Sequence, residues 1–326
     1  MNSEMPEFDL IRRLQEIIEP EGNRKPGCSL GIGDDAAVLE IPAGRQVVIC
    51  TDTVVEGVHF PIGTDPRAIG HKALAVNLSD LAAMGAEPGW FLMSLTMPEA
   101  GLDWVEPFAQ SMASLASGAG ITLVGGDLSS GPLSVCVTAM GLAHPDGTLT
   151  RRGAAVGDLV VVSGQLGAAA HALKLLEEGL QPSEEDLRAL EYPQPRVELG
   201  QRLPGLATAC IDLSDGLLAD LGHILERSGV GARIEIDSLP CPDSLLTVSP
   251  EVRRSLQLSG GDDYELCFTV PQHRLEDLRA VARAAGVETT VIGSVTDGSD
   301  ATLRTRNGQL YEASCPGYEH FKQSGD

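Results

Sequence analysis

The chain has 326 residues, of which 43% are apolar, 21% charged and only 4% aromatic. That length is more than one core needs and favours two domains. Acidic side chains outnumber basic ones 46 to 23, a formal net charge of -23; with no basic stripe this excludes a nucleic-acid binder and fits solubility or the holding of cations.

The chain opens on "MNSEMPEFDLIRRLQEII". There is no basic segment followed by an apolar one, so it is not a secretory leader. Phe8, Ile11, Leu14 and Ile18 recur at helical spacing instead. A β-rich run follows at 45–54, ending in Thr51-Asp52. An Ala-rich helix is predicted over 65–86, with Pro66 suited to its first turn. A strand is predicted over 89–98, a helix over 104–120 closing on glycine, and strands over 121–127 and 133–143.

The turn-rich "RRGAAVGD" at 151–158 marks the boundary between a domain over 1–150 and one over 151–326. Beyond it come a strand and turn (159–167), a helix, and a polar, proline-rich surface excursion near 181–197. Strand, turn and helix span 207–229; a strand covers 232–236; turn then strand cover 256–270; a helix (274–286) and a strand (289–295) close the pattern. Both halves mix strands and helices, an α/β (α+β) class. No apolar run approaches the ~18 residues of a membrane span. The seven cysteines are odd in number and lack any CxxC; they read as buried thiols in a reducing, cytoplasmic setting.

Aspartates recur beside glycines or at the ends of apolar runs: Asp34 and Asp35 in "GIGDDAA", Asp52 in "CTDTV", Asp127 in "VGGDLSSG", Asp212 and Asp215 in "CIDLSDG", Asp262 and Asp263 in "SGGDDYEL". Any one of them is a turn or cap residue. As a set they are what hard cations with oxygen ligands require. Asp80 lies in the small, apolar "AVNLSDLAAM", where a carboxylate wants a cation or donors, or else marks a solvated stripe with His71 and Asn77. No P-loop and no kinase-type GxGxxG occurs. "SGQLGAAA" is a Gly-rich turn whose N–H groups either face an anion or serve tight packing. Arg151 and Arg152 either fork onto phosphate or form a solvated pair.

In order, "EFDLI", "LGIGDDAAVL", "TDTVVEGVHF", "KALAVNLSDLAAMGAEP", "LVGGDLSSGPLSV", "LTRRGAAVGD", "CIDLSDGLLADLGHI", "LSGGDDYELCFTV" and "GYEHF" resemble the thiamine-monophosphate kinase family, from about residue 7 to 321. The resemblance implies ATP-dependent, Mg²⁺-dependent phosphorylation of thiamine monophosphate to thiamine diphosphate. It also implies the two-domain aminoimidazole-ribonucleotide synthetase-like fold. There an N-terminal domain forms a β-barrel in a homodimer, and a C-terminal α/β domain completes the nucleotide and thiamine phosphate site. By position it implies metal roles for Asp35, Cys50, Thr51, Asp52, Asp80, Asp127, Asp212 and Asp215. ATP contacts would come from Gly126, Asp127, Arg151 and Ser214, and substrate contacts from His59, Asp262 and Tyr318.

Three positions depart from the family pattern. Cys50 stands where Ser or Thr is usual; a thiol is a poor Mg²⁺ ligand, so its contact is expected from the main-chain carbonyl. Asp262 replaces a usual Glu and is one methylene shorter. Ala119 replaces a tyrosine near the nucleotide. No general base is assigned, because the attacking phosphate oxygen is already anionic. Asp34 has no family role; its side chain is expected to cap turn N–H groups and steady Asp35. The rival readings are a selenophosphate synthetase-like enzyme on the same scaffold and a non-catalytic cation-binding protein.

Overall fold

The computed structural model describes residues 6–19, 26–99, 101–313 and 317. They form two compact units: Met1–Leu81 with Ala86–Thr148, and Ala82–Gly85 with Leu149–Asp326.

The first unit runs α1 (Glu7–Ile18), β1 (Cys28–Leu30), β2 (Val38–Leu39), β3 (Gln46–Val55), α2 (Pro66–Ala83), β4 (Glu87–Met97), α3 (Leu102–Ala119), β5 (Thr122–Ser130) and β6 (Ser134–Ala143). Its main sheet has the order β3-β6-β4-β5; only β4 and β5 are parallel, joined through α3. Gly120 ends α3 in the left-handed region (φ 66°), a conformation that glycine adopts without a Cβ penalty.

Alternation gives this sheet two unlike faces. Cys50, Ala139 and Phe91 share one row and Asp52, Val137 and Met93 the next, on the side where Cys50 meets Asn77 of α2. Thr51, Thr138 and Leu92 share a row on the other face, followed by Thr53, Cys136 and Ser94. That second face stays accessible: Ile49 is 62% and Leu92 36% exposed. In one chain this is an open four-stranded sheet, not a closed barrel.

The second unit runs β7 (Leu159–Ser163), α4 (Ala168–Glu177), α5 (Glu184–Glu191), α6 (Val197–Arg202), β8 (Ala209–Asp212), α7 (Leu217–Ser228), β9 (Gly231–Glu235), α8 (Pro250–Ser259), β10 (Leu266–Val270), α9 (Leu275–Ala284), β11 (Thr289–Thr296), β12 (Ala301–Arg304) and β13 (Leu310–Tyr311). Its seven-stranded sheet has the order β13-β12-β9-β11-β7-β10-β8. "LVVVS", "ACID" and "LCFTV" are buried on both faces, as near-continuous apolar runs must be. Val160, Val162 and Ile211 join the leucines of α7 in one core, while Val161, Cys210 and Phe268 join α6 and α9 in another.

Two expectations change here. The proline-rich segment after α4 contains a helix, α5, because Ser183 caps it by accepting the Asp186 N–H at 3.1 Å. Asp186 is then buried against His171 (3.0 Å) and Ser244 (2.5 Å). The second is the start of 256–270, which is the last turn of α8 rather than a turn into β10.

Candidate active site

In the first unit the acidic residues sit at turns and on strands with different degrees of cover. Asp34 and Asp35 are exposed, and Asp34 Oδ1 accepts the N–H of Asp35 at 2.9 Å, the capping role expected of it. Asp127 is exposed on β5, its Oδ2 accepting from Ser129 Oγ at 2.8 Å. Its neighbour must be glycine: a β-carbon at Gly126 would lie 1.9 Å from the Met93 carbonyl oxygen. Asp52 and Asp80 are half-buried and both bear on Cys50.

Main-chain direction separates three neighbours on β3. Glu56, one residue past the strand, donates its N–H to the Leu133 carbonyl, whereas Val55 turns away and bonds Val58 and His59. The two orientations alternate along an antiparallel ladder. Cys50 and Asp52 therefore aim their main chain at β6, and Thr51 aims its own at the sheet edge. The Thr51 hydroxyl faces the accessible side, within 3.2 Å of the Val137 carbonyl and 3.0 Å of Thr138 Oγ1.

Cys50 is engaged within the unit through both main chain and side chain. Its carbonyl belongs to the ladder. Its thiol lies 3.4 Å from the Asn77 carbonyl as a donor, and burial first, then the charges of Asp80 and Asp52, push its pKa far up.

His59 follows β3 in a tight turn. Its Nδ1 accepts the Val55 N–H at 3.1 Å, which leaves the ring proton on Nε2 in the neutral form. The His59 carbonyl accepts from Lys72 Nζ at 3.1 Å, and Lys72 is only 3% exposed. Sequence reasoning passed over Lys72, although a lone charge in "HKALAV" is the same signal that singled out Asp80.

In the second unit Asp212 ends β8, and the loop Leu213–Gly216 leads into α7. Asp220 Oδ2, in the first turn of α7, accepts the N–H groups of Ser214, Asp215 and Gly216, each at 3.1 Å. Burial first, and then the charges of Asp212 and Asp215, push the Asp220 carboxyl up to about 7. The same loop is stitched to the segment before β10: Asp262 N–H donates to the Ser214 carbonyl at 2.9 Å and Tyr264 N–H to the Leu213 carbonyl at 2.8 Å. Ser214, Asp215 and Asp262, read from motifs some 50 residues apart, are thus brought together.

The Asp262 segment is strained. Asp262 (φ 68°) and Tyr264 (φ 48°) both occupy the left-handed region, uncommon for Asp and costly for a bulky ring. The Tyr264 hydroxyl donates to Asp262 Oδ1 at 3.1 Å. Between them Asp263 accepts the Gly167 N–H (2.9 Å to Oδ1), and desolvation raises its pKa well above the ordinary carboxylate value. The "SGQLGAAA" helix N-terminus does meet an acceptor, and that acceptor is the protein's own Asp263 carboxyl. Its first glycine answers to packing: a β-carbon at Gly164 would lie 1.9 Å from Glu265 Oε1. Glu265 is held by a two-pronged Arg196 ion pair and by Ser163 Oγ at 2.5 Å.

Arg151 is exposed, and its guanidinium has no hydrogen bond or ion pair among the described residues. Ala119 ends α3, with no aromatic ring at that position. Tyr318 lies outside the described residues; the preceding Gly317 passes so close to the Asp215 carbonyl oxygen that a β-carbon would be 2.8 Å away. Among the described residues no three His, Cys, Asp or Glu side chains gather into a metal cage. Single and paired carboxylates with hard oxygen donors still suit Mg²⁺, which takes one or two carboxylates and completes its shell with phosphate oxygens and waters.

Comparison with known proteins identifies the family and the fold. Residues 33–143 match the N-terminal domain of AIR synthase related proteins and residues 155–306 the C-terminal domain. Thiamine-monophosphate kinase of Escherichia coli K12 is 42% identical over 323 residues, 97% of this chain and 98% of that protein. The crystal structure of the Stenotrophomonas maltophilia thiamine-monophosphate kinase is 44% identical, with a TM-score of 0.85 over 92% of this chain and 96% of that one. AaThiL, solved in complex with AMPPCP and TMP, is 30% identical with a TM-score of 0.76, covering 97% of each chain. The chain belongs to the thiamine-monophosphate kinase family.

Proposed function

We propose that the acidic turns hold Mg²⁺ for the reaction of this family. The chain phosphorylates thiamine monophosphate with ATP, giving thiamine diphosphate. The observation that carries the cation reading is that Asp35, Asp52 and Asp127 meet no Lys or Arg side chain among the described residues. In a chain with twice as many acids as bases, such carboxylates want a cation from solution.

Asp35, Asp52, Asp80 and Asp127 of the first unit, and Asp212 and Asp215 of the second, are assigned to several Mg²⁺ ions. Thr51 offers its main-chain carbonyl rather than its hydroxyl. The bound ions supply charge neutralisation among crowded phosphates. Gly126 admits the ATP phosphates close to the main chain, Arg151 forks onto their oxygens, and Ser214 offers its hydroxyl. His59, Asp262 and Tyr318 are assigned to thiamine monophosphate. One of its phosphate oxygens, anionic at neutral pH, attacks the γ-phosphorus in line, and the bond from that phosphorus to the β–γ bridging oxygen breaks as ADP leaves. The chain's task is therefore to position and to exclude misalignment, and no side chain is needed as a base.

The accessible sheet face with Val47, Ile49 and Leu92 supports a homodimer built by pairing two first units into a barrel. The six described cysteines are free thiols, which supports a reducing, cytoplasmic setting. The deciding experiment measures ATP consumption with thiamine monophosphate and with thiamine, each with Mg²⁺ and with EDTA. Turnover is expected only with thiamine monophosphate and Mg²⁺; turnover in EDTA would overturn the cation reading while leaving the kinase activity in place.

A further inference from the structure

We infer that Asp220 is a positioning residue that turns a potential phosphate nest into a carboxylate platform. A strand, a short loop ending in glycine and a helix make a familiar anion site, because the loop N–H groups and the helix N-terminus converge on one point. Here that point is taken. All three loop amides, of Ser214, Asp215 and Gly216, end on Asp220 Oδ2 at 3.1 Å, and Asp220 is 3% exposed.

The other side of the loop is fixed as well. The Leu213 N–H donates to the Glu265 carbonyl at 2.8 Å, and the Ser214 carbonyl accepts from Asp262. A β-carbon at Gly216 would come within 2.8 Å of the Ser259 carbonyl carbon, and one at Gly261 within 2.5 Å of the Ser214 oxygen. With its amides committed, the loop has no N–H group to offer a ligand; it presents oxygens instead, the Ser214 hydroxyl and the Asp215 carboxylate, beside Asp212. At this loop phosphate is then met through a cation or the Ser214 hydroxyl and not through amides. This rests on the assignment of Asp212 and Asp215 to Mg²⁺.

Asp220→Ala removes the acceptor and releases three N–H groups; Asp220→Asn keeps an acceptor oxygen but no charge. Two readouts separate positioning from mere stabilisation: the Mg²⁺ concentration for half-maximal turnover beside the KM for thiamine monophosphate, and direct calorimetric binding of ATP in EDTA. With Asp220→Ala the Mg²⁺ requirement is expected to rise about tenfold, as for a group that orients a metal ligand, while the KM for thiamine monophosphate holds within about twofold. Metal-free ATP is expected to bind more tightly to Asp220→Ala than to wild type, because the freed amides accept phosphate directly.

Mg²⁺ and ATP constants within about twofold of wild type, whatever the melting temperature, would overturn the inference and leave Asp220 a helix cap. If the alanine variant does not fold, Asp220→Asn decides: about a threefold rise in Mg²⁺ requirement with the other KM steady supports positioning, and no rise overturns it. Asp215→Asn is the control. A Mg²⁺ requirement unmoved by Asp215→Asn overturns the ligand assignment itself, whereas one moved by Asp215→Asn but not by Asp220→Ala overturns the Asp220 inference alone.

Discussion

The acidic turn at Asp34–Asp35 and the loop from Asp212 to Asp220 solve one problem at two depths. In each, one carboxylate is assigned to a ligand and a second accepts main-chain N–H groups. In the first unit the inner member, Asp34, takes one N–H at 2.9 Å in full view of solvent. In the second, Asp220 takes three at 3.1 Å under cover. Water can replace Asp34 at the turn it caps, so little depends on it. Three amides buried without an acceptor have no such substitute, and each lost partner costs about 1–3 kcal/mol. Under the proposed assignment, neighbouring acids in this chain divide the work: some offer charge to a cation, while Asp34 and Asp220 hold main-chain N–H groups, and depth sets how much rests on each of those two.

The comparison is tested most severely at the outward carboxylates. Asp52→Asn and Asp127→Asn keep size and shape and remove only the charge offered to the cation. Turnover is expected to fall at least about a hundredfold at saturating Mg²⁺, the scale of losing a preorganised electrostatic group, while the urea midpoint stays within error. Near-normal activity in either variant would break the division into outer ligands and inner organisers at that position.

Next in size is the anchoring of the second unit. Glu265 bears the Arg196 ion pair, the Ser163 bond and the close approach of Gly164. Glu265→Ala leaves Arg196 half-buried with its charge unmatched. The Arg196 side chain is 26% exposed, so the loss belongs near the lower end for a broken buried pair, about 3 kcal/mol in urea unfolding. The first unit's Arg45–Glu87 pair at 3.0 Å, with Glu87 46% exposed, should lose no more than about 1 kcal/mol in Glu87→Ala. Equal losses would erase the contrast in depth.

What was legible in the chain follows the same line. Strands β3 to β6 and their helices announce themselves by period, and the outward acids by the glycines beside them. Asp35 and Asp127 sit where their motifs put them. The inner partners were hidden because their acceptors and donors meet only after folding. Gly167 and Asp263 are 96 residues apart, and Asp220 looks in sequence like any acid on the first turn of a helix. Helix α5 was masked by the prolines around it, and its cap at Ser183 needed Asp186 to be buried by His171 and Ser244. Cys50 was half legible. That a thiol is wrong for Mg²⁺ follows from its chemistry, but that its carbonyl is spent on β6 follows only from the register.

A smaller effect probes the inner acid beside Asp262. Desolvation raises the Asp263 pKa, so the folded state holds that proton more tightly than the unfolded chain does. The stability this confers is complete below the unfolded value, about 4, and is lost as pH rises toward the folded one. Asp263→Asn keeps an oxygen for the Gly167 N–H and cannot titrate. The melting temperature of the variant should therefore gain on wild type as pH rises above about 4. A gap that is constant or shrinks over that range would mean that Asp263 is comfortable as an anion, held by the helix N-terminus it caps.

The smallest expected change lies at Asp34 and sharpens the contrast most. Asp34→Ala removes one exposed bond to the Asp35 N–H, for which water is at hand. Unfolding free energy should drop by no more than about 0.5–1 kcal/mol, and Tm should barely move. If the bond only closes a turn, turnover follows stability and is unchanged at 25 °C. If it aims Asp35, the Mg²⁺ requirement rises by a few-fold at unchanged stability, on the scale of outer-shell partners that steady a ligand. The same substitution in Asp35 should act on Mg²⁺ alone and more strongly. An Asp34→Ala variant that loses as much stability as Asp220→Ala would show that cover from solvent is not what separates the two turns. The number of amides held, one against three, would then have to be tested by removing them singly at the second loop.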